Sequence, residues 1–73
     1  MPHIIVKLWP GRSEDQKKQM TDKIVKIIKN TTGAPESSIS MAIEEVPKEK
    51  WNEEVYKPDI IEKEHLLYKK PGY

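Results

Sequence analysis

The sequence predicts an α/β (α+β) fold: a single βαβ unit, in which one crossover helix joins a parallel strand pair. It is expected to dimerise into a four-stranded sheet with helices on one face. Three observations lead there. Two short β-branched segments flank one stretch of helical periodicity, and strand, helix and strand with short connections make a right-handed βαβ unit. The chain has 73 residues, 36% of them apolar, and no cysteine, so neither disulfides nor Cys-ligated zinc can supplement its small core. A two-stranded parallel sheet under one helix leaves two open edges and a bare face, so something must extend it, and a second copy is the simplest candidate.

The first strand is read over His3 to Trp9, with Ile4, Val6 and Leu8 on one face and Ile5, Lys7 and Trp9 on the other. Pro10-Gly11 ends it. Ser13 with Gln16 has capping-box spacing, and Glu14 and Asp15 suit the positive end of a helix dipole. In the helix that follows, Met20, Ile24, Ile27 and Ile28 recur at helical spacing as core positions, and Val25 widens the stripe. Gly33 supplies the stop and Pro35 blocks continuation.

Ile39 to Val46 reads as the second strand, with Ile39, Met41 and Ile43 on one side. The βαβ core thus covers about residues 2–46 of a single domain, 1–73, and residues 47–73 form a pocket and interface tail. Lys48 to Glu54 reads as a solvated, charged loop carrying Trp51. Pro58-Asp59 is expected to open a short helix with Ile60, Ile61, Leu67 and, beside it, Leu66 as its apolar positions. Pro71-Gly72 keeps the last residues from being helical.

Thirteen basic and 12 acidic residues give a net charge of +1 with lysines spread along the chain, so no field draws nucleic acid or an anionic membrane. Apolar runs such as Ile4 to Val6 are far too short to span a bilayer, and no signal-peptide pattern opens the chain. With no cysteine, the expected location is the cytoplasm. His3 and His65 are too far apart in sequence to make a convincing metal cage. No Gly-rich phosphate loop or nucleophile beside a histidine is present, so neither metal nor cofactor is expected.

Met1-Pro2 ahead of a strand stands out. Removal of an initiator Met before a small residue leaves Pro2 with a free secondary amine. Such an amine serves as a general base when burial and a nearby cation favour its neutral form. Arg12, the only arginine, can supply that cation, and its planar fork suits a substrate carboxylate. Trp51 is a candidate pocket wall.

Pro2-His3-Ile4, Pro10-Gly11-Arg12-Ser13 with Glu14 to Lys17, Ala34-Pro35 and Ser40 to Glu45 together resemble the 4-oxalocrotonate tautomerase family over roughly residues 2–51. The resemblance implies a βαβ protomer, a dimer as basic unit, and keto-enol tautomerisation by an amino-terminal proline without cofactor or metal. It also implies the roles: Pro2 matches the proline base, Arg12 the first active-site arginine, and Trp51 an aromatic pocket residue. The namesake's second arginine falls on Ser40, which favours a monoacid such as an aryl pyruvate over a dicarboxylate-like substrate and leaves Ser40 as a hydrogen-bonding candidate. Asn52 to Tyr56 lacks the glycines of the namesake's hexamer-forming hairpin. The longer tail resembles the short dimeric bacterial tautomerases that accept phenylpyruvate enol. The expected partners are therefore a small 2-keto acid or its enol and a second copy of the chain, a dimer being favoured over a hexamer. The alternative is a non-catalytic βαβ oligomerisation module, and retention of Met1, which would leave Pro2 an amide, favours that alternative.

Overall fold

Residues 1–73 are described by a computed structural model. Its elements are β1 (His3–Leu8), α1 (Glu14–Thr32), a 3₁₀ turn (Glu36–Ser38), β2 (Ser40–Glu45), a second 3₁₀ turn (Lys48–Lys50), a π-helix (Asn52–Ile61) and a third 3₁₀ turn (Glu64–Leu66). The two strands run parallel, in register from His3 beside Ser40 to Leu8 beside Glu45. Strand alternation then sorts the side chains. Ile4, Val6, Leu8, Met41 and Ile43 share the face under α1, where Glu45 meets Lys17 of that helix at 3.1 Å. His3, Ile5 and Lys7 share the opposite face with Ser40, Ala42 and Glu44.

Helix α1 begins where its cap chemistry places it. The Ser13 hydroxyl accepts from the Gln16 N–H at 3.1 Å, and the Gln16 side chain accepts from the Ser13 N–H at 2.9 Å, a complete capping box. It ends at Gly33, whose φ of 77° lies in the left-handed region that side chains disfavour, and whose N–H returns to the Lys29 carbonyl. Met20, Ile24, Val25 and Ile28 are half-buried. Ile27, expected in the core, is 61% exposed: it lies on the rim of the stripe, and nothing in the protomer reaches that flank.

The carboxy-terminal third differs from expectation. Lys48 to Glu54 is not a loop, and the helix does not open at Pro58. Helical structure starts at Lys48, and Pro58 lies inside the π-helix. An α-helical turn would set the proline ring against the carbonyl four residues back, whereas wider i to i+5 bonding, such as Glu62 N–H to Lys57 O at 3.0 Å, leaves room for it. The segment folds back over the sheet face opposite α1. Val55 is buried, and Asp59 accepts from Lys7 Nζ at 2.5 Å.

That ion pair is the main polar tie between the segment and β1. Lys7 is pushed above the ordinary lysine value, first by its hydrogen bond to Asp59, against the opposing effect of burial. Lys7's contribution to the pair is therefore complete below the ordinary lysine value and disappears as pH rises through the raised one. Asp59→Asn is expected to lower stability by about 1 kcal/mol in urea unfolding near neutral pH, with the gap from wild type closing in strongly alkaline buffer.

The protomer does not close its own core. Only Val46 and Val55 are buried, and the accessible surface is 5897 Å², against about 4,700 Å² for a compact monomer of this mass. The radius of gyration is 13.8 Å, against about 11 Å for a chain of this length. No helix is long and apolar enough to cross a membrane.

Candidate active site

Beyond β1 the chain reverses through Pro10 and Gly11, whose φ of 125° is accessible only to glycine at low cost. The reversal brings Arg12 back to the strand end, where its Nη1 donates to the Trp9 carbonyl at 3.3 Å. Across from it the turn after β2 delivers Trp51, and the last residues of the chain deliver Tyr73. Together Lys7, Leu8, Trp9, Arg12, Trp51 and Tyr73 line a cleft of about 480 Å³.

Aromatic contacts build its walls. Trp9 and Trp51 meet edge to face with ring centroids 6.4 Å apart, and Lys48 Nζ lies 5.1 Å from the centre of the Trp9 ring. Trp51 Nε1 donates to the Tyr73 hydroxyl at 3.1 Å, and Tyr73 leans on Tyr56 with centroids 5.4 Å apart. Two cationic side chains line the cleft and differ in availability. Lys7 is held by Asp59 and lies 3.9 Å from Glu44, whereas Arg12 forms no ion pair and gives one hydrogen bond to a backbone carbonyl. Most of the guanidinium's five donors thus remain free beside flat apolar walls, an arrangement suited to a planar anion.

Pro2 and Ser40 are elsewhere. The Pro2 carbonyl accepts from the Ser40 N–H at 3.1 Å, and the Ser40 hydroxyl is 2.6 Å from His3 Nδ1, so all three residues cluster where the two strands begin. The Arg12 cleft lies where β1 ends. At about 3.3 Å per residue, Pro2 and Trp9 are separated by roughly 23 Å. One protomer therefore joins Arg12 with Trp51 but brings neither Pro2 nor Ser40 to them.

A larger groove of about 570 Å³ runs between α1 and the segment around Glu36, but its lining is mostly charged and polar, with Val25 and Ile39 its only apolar residues. The Arg12 cleft, with its aromatic walls and one unpaired cation, is the better ligand site. No group of three or more His, Asp or Glu side chains gathers as a metal cage.

Sequence reasoning alone does not bring Trp9 or Tyr73 to the cleft: Trp9 reads as a strand residue, yet it lies just past the last paired residue. A cluster of aromatics framing the single arginine was the available signal for Trp9. No local pattern signalled Tyr73, since its place depends on how the whole tail folds back.

Comparison with known proteins gives a consistent result. Residues 2–55 match the family model described as "Tautomerase enzyme". Tautomerase PptA of Pectobacterium carotovorum subsp. carotovorum (strain PC1) is 42% identical over 76 residues, covering 100% of this chain and 97% of that protein. The 2-hydroxymuconate tautomerase of Bacillus subtilis (strain 168) is 41% identical over 49 residues, covering 67% of this chain and 79% of that one. Among solved structures, YwhB, a homologue of 4-oxalocrotonate tautomerase, superposes with a TM-score of 0.63 at 40% identity over 64% of this chain and 77% of its own. TomN, a 4-oxalocrotonate tautomerase homologue in the tomaymycin biosynthetic pathway, gives a TM-score of 0.66 at 30% identity over 68% and 77%. With its parallel strand pair and crossover helix, the chain belongs to the 4-oxalocrotonate tautomerase family and is a tautomerase, an isomerase.

Proposed function

We propose that the protein interconverts the keto and enol forms of a 2-keto acid of aryl-pyruvate type, without a cofactor, using the Pro2 nitrogen as general base once Met1 is removed. The observation that carries this reading is the free Arg12 guanidinium set among Trp9, Trp51 and Tyr73. The cation meets the carboxylate, and the walls accept a flat ring and exclude water.

In the ketonisation direction the neutral amine takes the proton from the enol hydroxyl. The electron pair released onto oxygen forms the C=O bond while the former C=C pair captures a proton at the adjacent carbon, delivered by the protonated amine. Arg12 holds the carboxylate and stabilises the enolate charge that develops. Ser40, whose N–H donates to the Pro2 carbonyl and whose hydroxyl lies 2.6 Å from His3 Nδ1, would contact a substrate oxygen at the base's end of the site.

Since Pro2 lies at the start of β1 and Arg12 is held at the Trp9 carbonyl beyond its end, the working site takes Pro2 from one copy and the Arg12 cleft from another. The assembly we propose is a dimer. The surplus of surface over a compact monomer, about 1,200 Å², is of the size that an obligate homodimer interface removes from each partner. The test is ultraviolet-monitored ketonisation of phenylpyruvate enol by protein whose intact mass shows loss of Met1, with mass by light scattering in parallel. Saturable turnover by a dimer is expected, and a processed protein without turnover overturns the reading.

A further inference from the structure

We propose that Tyr73 is a substrate-contacting residue of the Arg12 cleft, its phenolic O–H donating a hydrogen bond to the anionic end of the bound acid. The inference rests on the reading of that cleft as the substrate site and adds to it a residue far along the chain from both Pro2 and Arg12.

The argument begins with hydrogen-bond direction. An indole N–H can only donate, so in the 3.1 Å contact with Trp51 the Tyr73 oxygen must accept. The tyrosine's own proton is then directed elsewhere, and no protein acceptor takes it. Accepting from the indole also polarises the phenol and makes it a better donor.

Position is the second step. The ring borders the same cleft as the Arg12 guanidinium and also a smaller hollow of about 170 Å³, lined among others by Tyr56, Ile60, Leu67, Glu64 and Lys70. Tyr73 is thus a partition between two spaces, held by the Tyr56 ring and by the Trp51 bond.

The tail is tethered upstream as well. Lys70 Nζ donates to Glu64 at 2.9 Å, and that bond holds the Glu64 carboxyl below the usual carboxylate value. No acidic side chain lines the cleft, and the acids near its Lys7, Asp59 and Glu44, face that lysine rather than Arg12. An unpaired guanidinium and an undirected O–H on one aromatic cleft make a two-donor cradle for a carboxylate or enolate oxygen.

Binding of phenylacetate, a non-reacting aryl carboxylate, followed through Trp9 and Trp51 fluorescence, tests the proposal. Tyr73→Phe keeps the ring and its packing and removes only the hydroxyl. It is expected to raise Kd for phenylacetate about tenfold, the loss of one hydrogen bond to a charged group, and to raise KM for phenylpyruvate enol similarly. For 2-phenylethanol, which has the ring but no anion, Kd should change less than twofold. An unchanged phenylacetate Kd, or an equal loss for both ligands, shows that the hydroxyl only props the wall and overturns the proposal. Wild type that binds phenylacetate through Tyr73 yet never turns over phenylpyruvate enol overturns the catalytic reading instead. No binding by wild type overturns both.

Discussion

Replacing Pro2 with alanine is expected to reduce kcat for phenylpyruvate enol by about 100-fold or more, with KM little changed, in protein confirmed by mass to lack Met1. The variant keeps an amine at the same place, so residual activity should survive. However, the primary amine rotates about its own bond and draws more water, whereas the ring of Pro2 fixes the direction of its lone pair. Retention of Met1 is the harsher lesion. It converts the Pro2 nitrogen to an amide whose lone pair is delocalised into the carbonyl, and activity should fall below detection although fold and cleft are unaltered. Steady-state kinetics on the three forms at matched concentration check both statements. Equal kcat for wild type and Pro2→Ala would remove Pro2 from the mechanism.

The same contrast shows what the sequence could and could not convey. The amino-terminal two thirds were legible because each boundary has a local cause: the Ser13–Gln16 capping box, the left-handed Gly33 and the alternation through Ile4, Val6 and Leu8 are written within a few residues of where they act. The carboxy-terminal segment was not. Its burial pattern, with Val55 deepest and Pro58, Asp59 and Ile60 half-buried, follows a π-helix and has no 3.6-residue repeat to find. Its anchor is Asp59 on Lys7, a contact 52 residues apart in sequence that no window of local pattern contains.

The candidate site divides the same way. Arg12 and Trp51 stood out by type and are neighbours in the structure. Trp9 and Tyr73 share the cleft because the tail folds back onto the far end of β1, a contact that no local pattern encodes. That Pro2 is absent from the cleft is a consequence of strand length, because a residue at the start of β1 and a cation just past its end do not converge within one chain.

That separation yields the second large effect. Arg12→Ala should lower kcat/KM by about 10- to 100-fold, chiefly through KM, because a charged hydrogen-bonding anchor for the carboxylate is lost. By itself this loss is equally compatible with a site within one chain and a site between chains. Mixing separates them. If Pro2 of one copy works on the Arg12 cleft of the other, a dimer of one Pro2→Ala and one Arg12→Ala chain has one site with both residues intact and one with neither. Random re-pairing makes half of the dimers mixed, so about a quarter of all sites should regain wild-type activity. If both residues served the same site from the same chain, every site in every dimer would carry a lesion, and mixing would restore nothing. Activity measured after co-refolding equal amounts of the two variants, against each refolded alone, decides between a base that reaches its substrate across the interface and one that does not.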